Sequence, residues 1–344
     1  MDDADTLIRD SLDALVRGCD LSLDGARGVM DRVMEGAATS AQIGALLAAL
    51  RLKGETVDEL TGMAMSMRDH ALRVDLDVDA VDTCGTGGDG SNTFNISTAA
   101  AFVVAGAGQP VAKHGGRAAS SRCGSADVLE ALGVTIALPP EGVKRCVEEG
   151  GIGFLFAPAF HPAMRNAAPA RSELGIRTVF NILGPLANPA RVRLQALGVG
   201  DAALAPAMAG VLQRLGHRHA LVMAGAGGLD ELGLDGVARC HEVSEEGIRE
   251  LEIDPAALGL EPAPIEALRG GDASTNAAIV RGVLRGEPGP CRDVVLLNAA
   301  AALLASERAP DMATALEQAA ASIDSGAAAD RLEDLARLST EAAL

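Results

Sequence analysis

Two polar, glycine-rich segments separated by a short apolar run could bind an anion. Residues 84–98 read CGTGGDGSNTFNIST, and residues 113–121 read KHGGRAASS. Glycines allow positive φ and a close approach of the backbone to a ligand. The exposed amides would then converge on one point, aided by the positive end of a helix that begins near Ser97. Hydroxyl and amide side chains add neutral donors and Lys113 adds a cation, so the pattern predicts a phosphate site.

A second group of chemical interest is the adjacent pair Asp230-Glu231 in the glycine-rich stretch 224–233. Two hard oxygen donors suit Mg²⁺, which proteins usually hold with one or two carboxylates plus substrate phosphates. Acidic dipeptides are common on surfaces, but this one follows a predicted strand. We therefore treat it as a candidate metal site.

If the ligand is a phosphate ester, the overall charge requires a site that is locally positive or carries a divalent metal. The 344 residues include 29 Lys and Arg against 47 Asp and Glu, a net charge of −18. Such a surface repels nucleic acid and anionic membranes, and the absence of Trp and Tyr removes the usual base-stacking side chains. The six cysteines show no zinc-ligand spacing and fit a reducing cytoplasm. No signal peptide or membrane span is expected.

The elements that must position these groups fall into two kinds. Residues 1–74 show apolar side chains at helical spacing throughout, with a capping box at Thr56-Val57-Asp58-Glu59. An acid at every second position from Asp75 to Asp79 marks the boundary. Short strands then alternate with helices, which predicts an α/β sheet flanked by helices. The predicted strands are Val81–Cys84, Pro110–Lys113, Val134–Ala137, Phe154–Phe156, Leu194–Val199 and Ala220–Ala224.

Ligands of α/β sheets bind at the carboxyl ends of the strands. The motifs GTGGD, KHG and GLDE each follow a predicted strand, so we expect them to meet at one edge of the sheet. Residues 255–344 read as helices without a catalytic signal.

Together the motifs resemble anthranilate phosphoribosyltransferase, and the resemblance extends along the whole chain. It includes GSADVLEALG at 124–133, HPAMR at 161–165, RSELGIRTVFN at 171–181, GPLANP at 184–189 and GLDE at 228–231. The resemblance implies a nucleoside phosphorylase-like phosphoribosyltransferase fold. A helical domain, residues 1–74 with 165–188 folded back onto it, would join an α/β domain of residues 75–164 and 189–344. It also implies a cytoplasmic homodimer formed through the helical domain.

The same resemblance implies a set of residues that bind the donor, phosphoribosyl pyrophosphate. They are Gly85, Gly88, Asp89, Thr93, Asn95, Ser97, Thr98, Lys113, Arg117, Ser120, Ser121 and Ser125. A carboxylate cannot face phosphate, so Asp89 would contact ribose or water, or cap a turn. Ser125 could equally be the N-cap of the following helix.

For the acceptor, anthranilate, the resemblance implies contacts from Gly85, Gly116, His161 and Arg171, with Arg171 clamping the carboxylate in two-point fashion. Lys113 and Arg171 would be the catalytic residues. Two Mg²⁺ ions are implied, one held by Ser97 and Glu231 and one by Asp230 and Glu231.

One position departs from the family, whose motif reads Lys-His-Gly-Asn-Arg where this chain has Gly116. The family's asparagine contacts anthranilate, so a different aromatic acceptor is an alternative. A pyrimidine nucleoside phosphorylase and a non-catalytic nucleic-acid-binding relative are further alternatives. The first lacks support at GTGGD and GLDE, and the net charge of −18 opposes the second.

Overall fold

The computed structural model describes residues 3–118 and 122–343. It begins with a helical bundle whose helices are α1 (Asp3–Val16), α2 (Leu23–Met34), α3 (Ser40–Lys53) and α4 (Val57–Asp69). Capping boxes begin two of them, Thr39 with Gln42 for α3 and the expected Thr56 with Glu59 for α4. The side-chain oxygens accept backbone N–H groups that a helix terminus leaves without partners. Among the described residues, no helix is both long and apolar enough to cross a membrane.

A seven-stranded sheet follows, with the order β3-β2-β1-β4-β5-β6-β7. The strands are β1 (Val81–Gly85), β2 (Val111–Gly115), β3 (Ile152–Phe156), β4 (Leu194–Gly198), β5 (His219–Ala224), β6 (Ala238–Ser244) and β7 (Gly247–Ile253). β1 to β5 run parallel, and β6 and β7 form an antiparallel hairpin at one edge. The parallel strands are buried on both sides, as expected for a sheet covered by helices.

Helices cover both faces of this sheet. The further helices are α5 (Ile96–Gly106), α6 (Ser125–Ala131), α7 (Pro140–Gly150), α8 (Ala157–Phe160), α9 (Ala168–Leu174), α10 (Phe180–Leu183), α11 (Ala205–Arg214), α12 (Ala273–Leu284), α13 (Pro290–Ala305), α14 (Met312–Asp324) and α15 (Ala327–Ala342). Of these, α9 and α10 pack against the helical bundle instead. α5 and α13 share one apolar core with β1 and β2, whereas α11 shares a second core with the helical bundle. The expected fold class, a helical bundle joined to a larger α/β sheet domain, is confirmed.

Residues 165–188 lie against the helical bundle. The Asn166 side-chain amide donates to the Met34 carbonyl at 2.7 Å, and Arg68 Nε donates to the Leu186 carbonyl at 2.6 Å. Ala170 and Phe180 belong to the same apolar core as α2, α3 and α4. This contact places the loop that follows α9 beside the carboxyl edge of the sheet.

Two features of the sheet differ from the expectation. Residues 134–137, which the structure describes, form no strand: the Val134 amide donates to the Leu129 carbonyl and the Thr135 amide to Ser339 Oγ at 3.0 Å. Bonds to a helix end and to a side chain therefore replace the strand pairing expected for Val134–Ala137. The second difference is the hairpin of β6 and β7, which the apolar pattern did not indicate.

Candidate active site

A cavity of about 310 Å³ lies at the carboxyl edge of the sheet. Its walls come from the β1–α5 loop, the end of β2 and the loop after β5, together with Arg177 and Asn181. The three glycine-containing motifs therefore meet at this edge, as expected from strand polarity. We call this space the central cavity.

The glycine loop after β1 takes a conformation that other residues adopt rarely. Gly87 and Gly88 have φ of 65° and 74°. A Cβ on residue 88 would lie 1.2 Å from Arg177 Nη1, so the guanidinium occupies the space that a side chain would need. The Gly87 amide donates to Asp230 Oδ2 at 2.6 Å, which ties this loop to the loop after β5.

Asp89 caps a turn within the glycine loop. Its carboxylate accepts bonds from the Ser91 amide at 3.0 Å and the Ser91 hydroxyl at 2.7 Å. The Asp230 amide also points to it at 3.4 Å. Of the three contacts considered for Asp89, this geometry favours turn capping.

The acidic pair lies in the floor of the central cavity. The Ser97 amide, at the start of α5, donates to Glu231 Oε1 at 3.1 Å. Burial raises the pKa of Asp230, with a further rise from nearby Asp89, and burial also raises the pKa of Glu231, with a further rise from Asp230. Glu231 is buried and Asp230 is partly buried, and a cation bound beside them would favour their ionised forms.

Oxygen donors at this position fit Mg²⁺. Among the described residues, no three carboxylate, histidine or cysteine side chains converge into a complete metal cage. Mg²⁺ does not require one, since it is commonly held by one or two carboxylates and completed by phosphate and water. Asp230, Glu231 and the Ser97 hydroxyl form such a partial set.

Lys113 is buried at the end of β2. Its ammonium donates to the Thr83 carbonyl and, at 3.3 Å, to Ser97 Oγ. Lys113 therefore places a positive charge beneath the cavity and orients the serine proposed as a metal ligand.

Arg117 lines the wall of the central cavity and is held by α6. It pairs with Asp127 at 2.8 Å and Glu130 at 2.6 Å, and its guanidinium lies 5.7 Å from the centre of the Phe156 ring. Two carboxylates thus already offset its charge.

The remaining expected donor-binding residues line the same cavity, namely Gly85, Thr93, Asn95, Thr98 and Ser125. Asn95 is fixed by bonds to the Cys123 carbonyl at 3.1 Å and from Asn276 at 2.9 Å. Ser125 donates to the Gly116 carbonyl at 3.3 Å and is the first residue of α6. The N-cap is Gly124, so the alternative role for Ser125 as N-cap is wrong. Ser120 and Ser121 lie outside the described residues.

Two expected acceptor residues lie outside the lining of the central cavity. His161 is buried behind it, with its ring centroid 5.1 Å from that of His114, which does line the cavity. Burial lowers the pKa of His161 to about 4 and that of His114 to about 3, so both rings are neutral. The Arg171 guanidinium stacks 5.1 Å from the centre of the Phe180 ring.

Sequence reasoning missed Arg177 and Asn181 as cavity residues. The Arg177 Nη2 group donates to the Gly87 carbonyl at 3.0 Å, and Asn181 Oδ1 accepts from the Thr178 amide at 2.9 Å. Both lie in the segment RSELGIRTVFN that carried the resemblance, which was the available signal.

Family models and known proteins match nearly the whole chain. Residues 9–71 match the helical bundle domain of a glycosyl transferase family, and residues 77–329 match its a/b domain. Anthranilate phosphoribosyltransferase of Chloroflexus aggregans is 58% identical over 96% of this chain and 98% of that protein. The enzyme of that name from Roseiflexus sp. is 59% identical over the same shares.

Solved structures are similarly close. The anthranilate phosphoribosyltransferase of Thermus thermophilus superimposes with a TM-score of 0.91 at 44% identity, covering 96% of this chain and 99% of that one. The Saccharomyces cerevisiae enzyme in complex with PRPP and Mg gives a TM-score of 0.90 at 28% identity, covering 98% of each chain.

Proposed function

The chain belongs to the anthranilate phosphoribosyltransferase family, and from this premise we propose how its residues transfer phosphoribosyl from phosphoribosyl pyrophosphate to anthranilate. The products are N-(5-phosphoribosyl)anthranilate and pyrophosphate, and the step belongs to tryptophan biosynthesis. One set of contacts carries the proposal. Gly87 bonds to Asp230, and Ser97 bonds to both Glu231 and Lys113.

The donor would bind along the glycine loop and the start of α5. Gly85 and Gly88 offer backbone approach, and the donor-binding side chains are Asp89, Thr93, Asn95, Ser97, Thr98, Lys113, Arg117, Ser120, Ser121 and Ser125. Lys113 offsets the charge that develops on the leaving pyrophosphate. Asp89 would act on the loop rather than on phosphate, which its hydrogen bonds to Ser91 support.

Magnesium ions would be held in the floor of this site. Ser97 and Glu231 would hold one, and Asp230 with Glu231 a second. Bound Mg²⁺ supplies positive charge to the pyrophosphate and so offsets the acidity of the floor. The position of both carboxyl groups in the cavity lining and their raised pKa in the metal-free protein support this assignment.

No general base is needed for the transfer itself. The aromatic amine of anthranilate is neutral at pH 7 and attacks C1 of the ribose as pyrophosphate leaves, and the proton that the nitrogen then loses passes to pyrophosphate or water. The protein's residues act by holding donor and acceptor in line and by excluding water. The rings of His114 and His161, whose pKa values are about 3 and about 4, are weak bases and are not assigned this proton.

Anthranilate would bind on the Gly116 side of the cavity, with Gly85, His161 and Arg171 as its other residues. For Arg171 to clamp the carboxylate, its guanidinium must leave the Phe180 ring and turn into the central cavity. Gly116 leaves an open wall among the described residues: apart from its chain neighbours, the atom of these residues nearest to a Cβ at this position is Ala157 Cβ, at 4.0 Å. A different or substituted aromatic acceptor is the alternative that this opening favours.

We further propose a cytoplasmic homodimer through the helical bundle. Val16 and Leu52, in the packed helices α1 and α3, have exposed fractions of 76% and 88%. Such apolar exposure favours burial by a partner. Light scattering should give twice the chain mass for the native protein and the chain mass for Leu52→Asp. A native monomer would contradict the dimer.

The function is tested by incubating the purified protein with Mg²⁺, phosphoribosyl pyrophosphate and a panel of aromatic amines. We expect anthranilate to be consumed in step with pyrophosphate release. Faster turnover of another amine would support the alternative acceptor, and no turnover with any amine would overturn the function.

A further inference from the structure

The central cavity is poor in uncommitted positive charge, although its donor ligand carries two phosphate-bearing arms. Three cations line it, Lys113, Arg117 and Arg177, among the residues that the structure describes. The Lys113 ammonium is engaged by Thr83 and Ser97. Arg117 is paired with two carboxylates of α6. The charge of Arg117 is thus offset within the protein, whereas Lys113 keeps its charge but uses two of its three N–H groups on neutral protein oxygens.

Arg177 differs from these two cations. Its guanidinium makes one described hydrogen bond, from Nη2 to the Gly87 carbonyl at 3.0 Å, and no ion pair joins it to a described carboxylate. The residue is exposed. Guanidinium carries five N–H donors in a planar fork, so most of its donors remain for a ligand.

Arg177 places this charge directly over the glycine loop. The guanidinium fills the space above Gly88 and lines both the central cavity and a neighbouring cavity of about 230 Å³. The neighbouring cavity reaches Arg51 and Glu55 at the end of α3. Arg177 therefore sits between the helical bundle and the glycine loop.

Gly87 connects this arginine to the metal-site residues. Its amide donates to Asp230 and its carbonyl accepts from Arg177. Movement of Arg177 toward an anion in the cavity would therefore act on the loop that also positions Asp230.

We infer that Arg177 is a donor-binding residue, which contacts the phosphate oxygens of bound phosphoribosyl pyrophosphate and fastens the glycine loop over them. This role rests on the proposed function. It gives the site, besides Lys113, a second cation, most of whose N–H donors are available to the ligand.

The test compares two arginine variants from the same segment. Arg177→Gln removes the charge, whereas Arg165→Gln removes an exposed arginine that lines neither cavity. Calorimetry with Mg²⁺ and phosphoribosyl pyrophosphate should show Kd raised about ten- to a hundredfold by Arg177→Gln, the usual effect of losing a charge-assisted bond. Arg165→Gln should bind as the native protein does, and Arg177→Lys should recover part of the affinity.

Two further measurements separate ligand contact from a structural role. The Kd of Arg177→Gln should rise less with added salt than the native Kd, because one screened charge contact is gone. The KM for anthranilate should change less than about twofold, the smallest effect of a lost neutral bond.

The outcomes also distinguish this role from the proposed function. Native turnover of anthranilate combined with unchanged donor Kd in Arg177→Gln would overturn the role of Arg177 alone. An unchanged salt dependence would overturn it as well. A native protein that binds no phosphoribosyl pyrophosphate would overturn both.

Discussion

Gly116 offers the clearest test of the acceptor at the scale of one residue. The described part of the chain leaves room for a side chain there, because its nearest atom to a Cβ at this position, chain neighbours aside, is Ala157 Cβ at 4.0 Å. Gly116→Asn restores the family's side chain and should lower the KM for anthranilate about two- to tenfold, the effect of one neutral hydrogen bond. Steady-state kinetics with each substrate varied in turn measure it.

The KM for phosphoribosyl pyrophosphate is the internal control for Gly116→Asn and should stay nearly constant. If the KM for anthranilate is also unaltered while turnover of a bulkier amine falls, anthranilate is not the natural acceptor of this chain.

The acidic pair predicts a pH dependence of metal binding. Burial raises the pKa of both Asp230 and Glu231, so the folded, metal-free protein retains protons that Mg²⁺ must displace. Mg²⁺ affinity should therefore increase as pH rises from the ordinary carboxyl range, near about 4, towards neutrality and beyond. Calorimetric titration with Mg²⁺ alone at several pH values measures this.

The raised pKa values of Asp230 and Glu231 also determine the direction in which stability changes with pH. A carboxyl group whose folded pKa is raised stabilises the protein at low pH, and that contribution is lost as pH rises through the folded pKa. Without metal, this pair should thus lower the free energy of unfolding as pH rises, and Mg²⁺ should offset the loss. Equal Mg²⁺ affinity at all pH values would contradict the raised pKa of Asp230 and Glu231.

At the scale of elements, the helical bundle depends on one buried carboxylate. Glu59 accepts bonds from the Leu21 amide at 2.9 Å, the Thr56 amide at 2.8 Å and the Lys53 ammonium at 2.9 Å. It thereby joins the start of α4 to the end of α3 and the loop before α2. Glu59→Ala should reduce the free energy of unfolding by about 1–3 kcal/mol, since it leaves two backbone amides without this partner, whereas Lys53 keeps its ion pair with Asp20 at 2.6 Å.

Urea denaturation measures the Glu59→Ala effect, and Glu35→Ala is the matched control. Glu35 pairs with Arg32 at 2.9 Å on the exposed surface, where such a pair contributes about 0–1 kcal/mol. Similar losses in the two variants would show that the buried network does not hold the bundle together.

The sequence predicted the elements whose apolar runs are buried on both sides. β1, β2, β3, β4 and β5 lie where apolar runs indicated them. The sequence did not predict β7, an edge strand that reads GIRELEI and is mostly exposed. It has no apolar pattern, and only its hydrogen-bonded pairing with β6 makes it a strand. The strand predicted at Val134–Ala137 was wrong for the opposite reason. The apolar run is buried there, but no neighbouring strand pairs with it.

The sequence likewise predicted only part of the candidate site. Glycines after strands predicted which loops meet, because strand polarity brings their ends together. Loop geometry decides which of two arginines six residues apart faces the cavity. Gly175, with φ of 61°, ends α9 and turns the chain between them, so that Arg177 and not Arg171 lines the central cavity. The spacing of residues in the sequence does not predict that turn.

At the scale of the whole molecule, an acidic protein must bind a highly anionic donor. The chain carries a net charge of −18, and Asp89, Asp230 and Glu231 add carboxylates at the cavity itself. Coulomb repulsion would oppose binding unless cations intervene locally. Lys113, Arg177 and Mg²⁺ held by the acidic pair are the groups that we assign to this task.

One measurement tests this assignment most directly: the steady-state rate of pyrophosphate release from phosphoribosyl pyrophosphate and anthranilate as a function of Mg²⁺, for the native protein and for Asp230→Asn with Glu231→Gln. We predict a Mg²⁺-dependent rate, with anthranilate consumed in equal amount, for the native protein. The double variant should keep its fold by circular dichroism and show no turnover at any Mg²⁺ concentration. Native-like, Mg²⁺-dependent turnover by the double variant would contradict the role of the acidic pair.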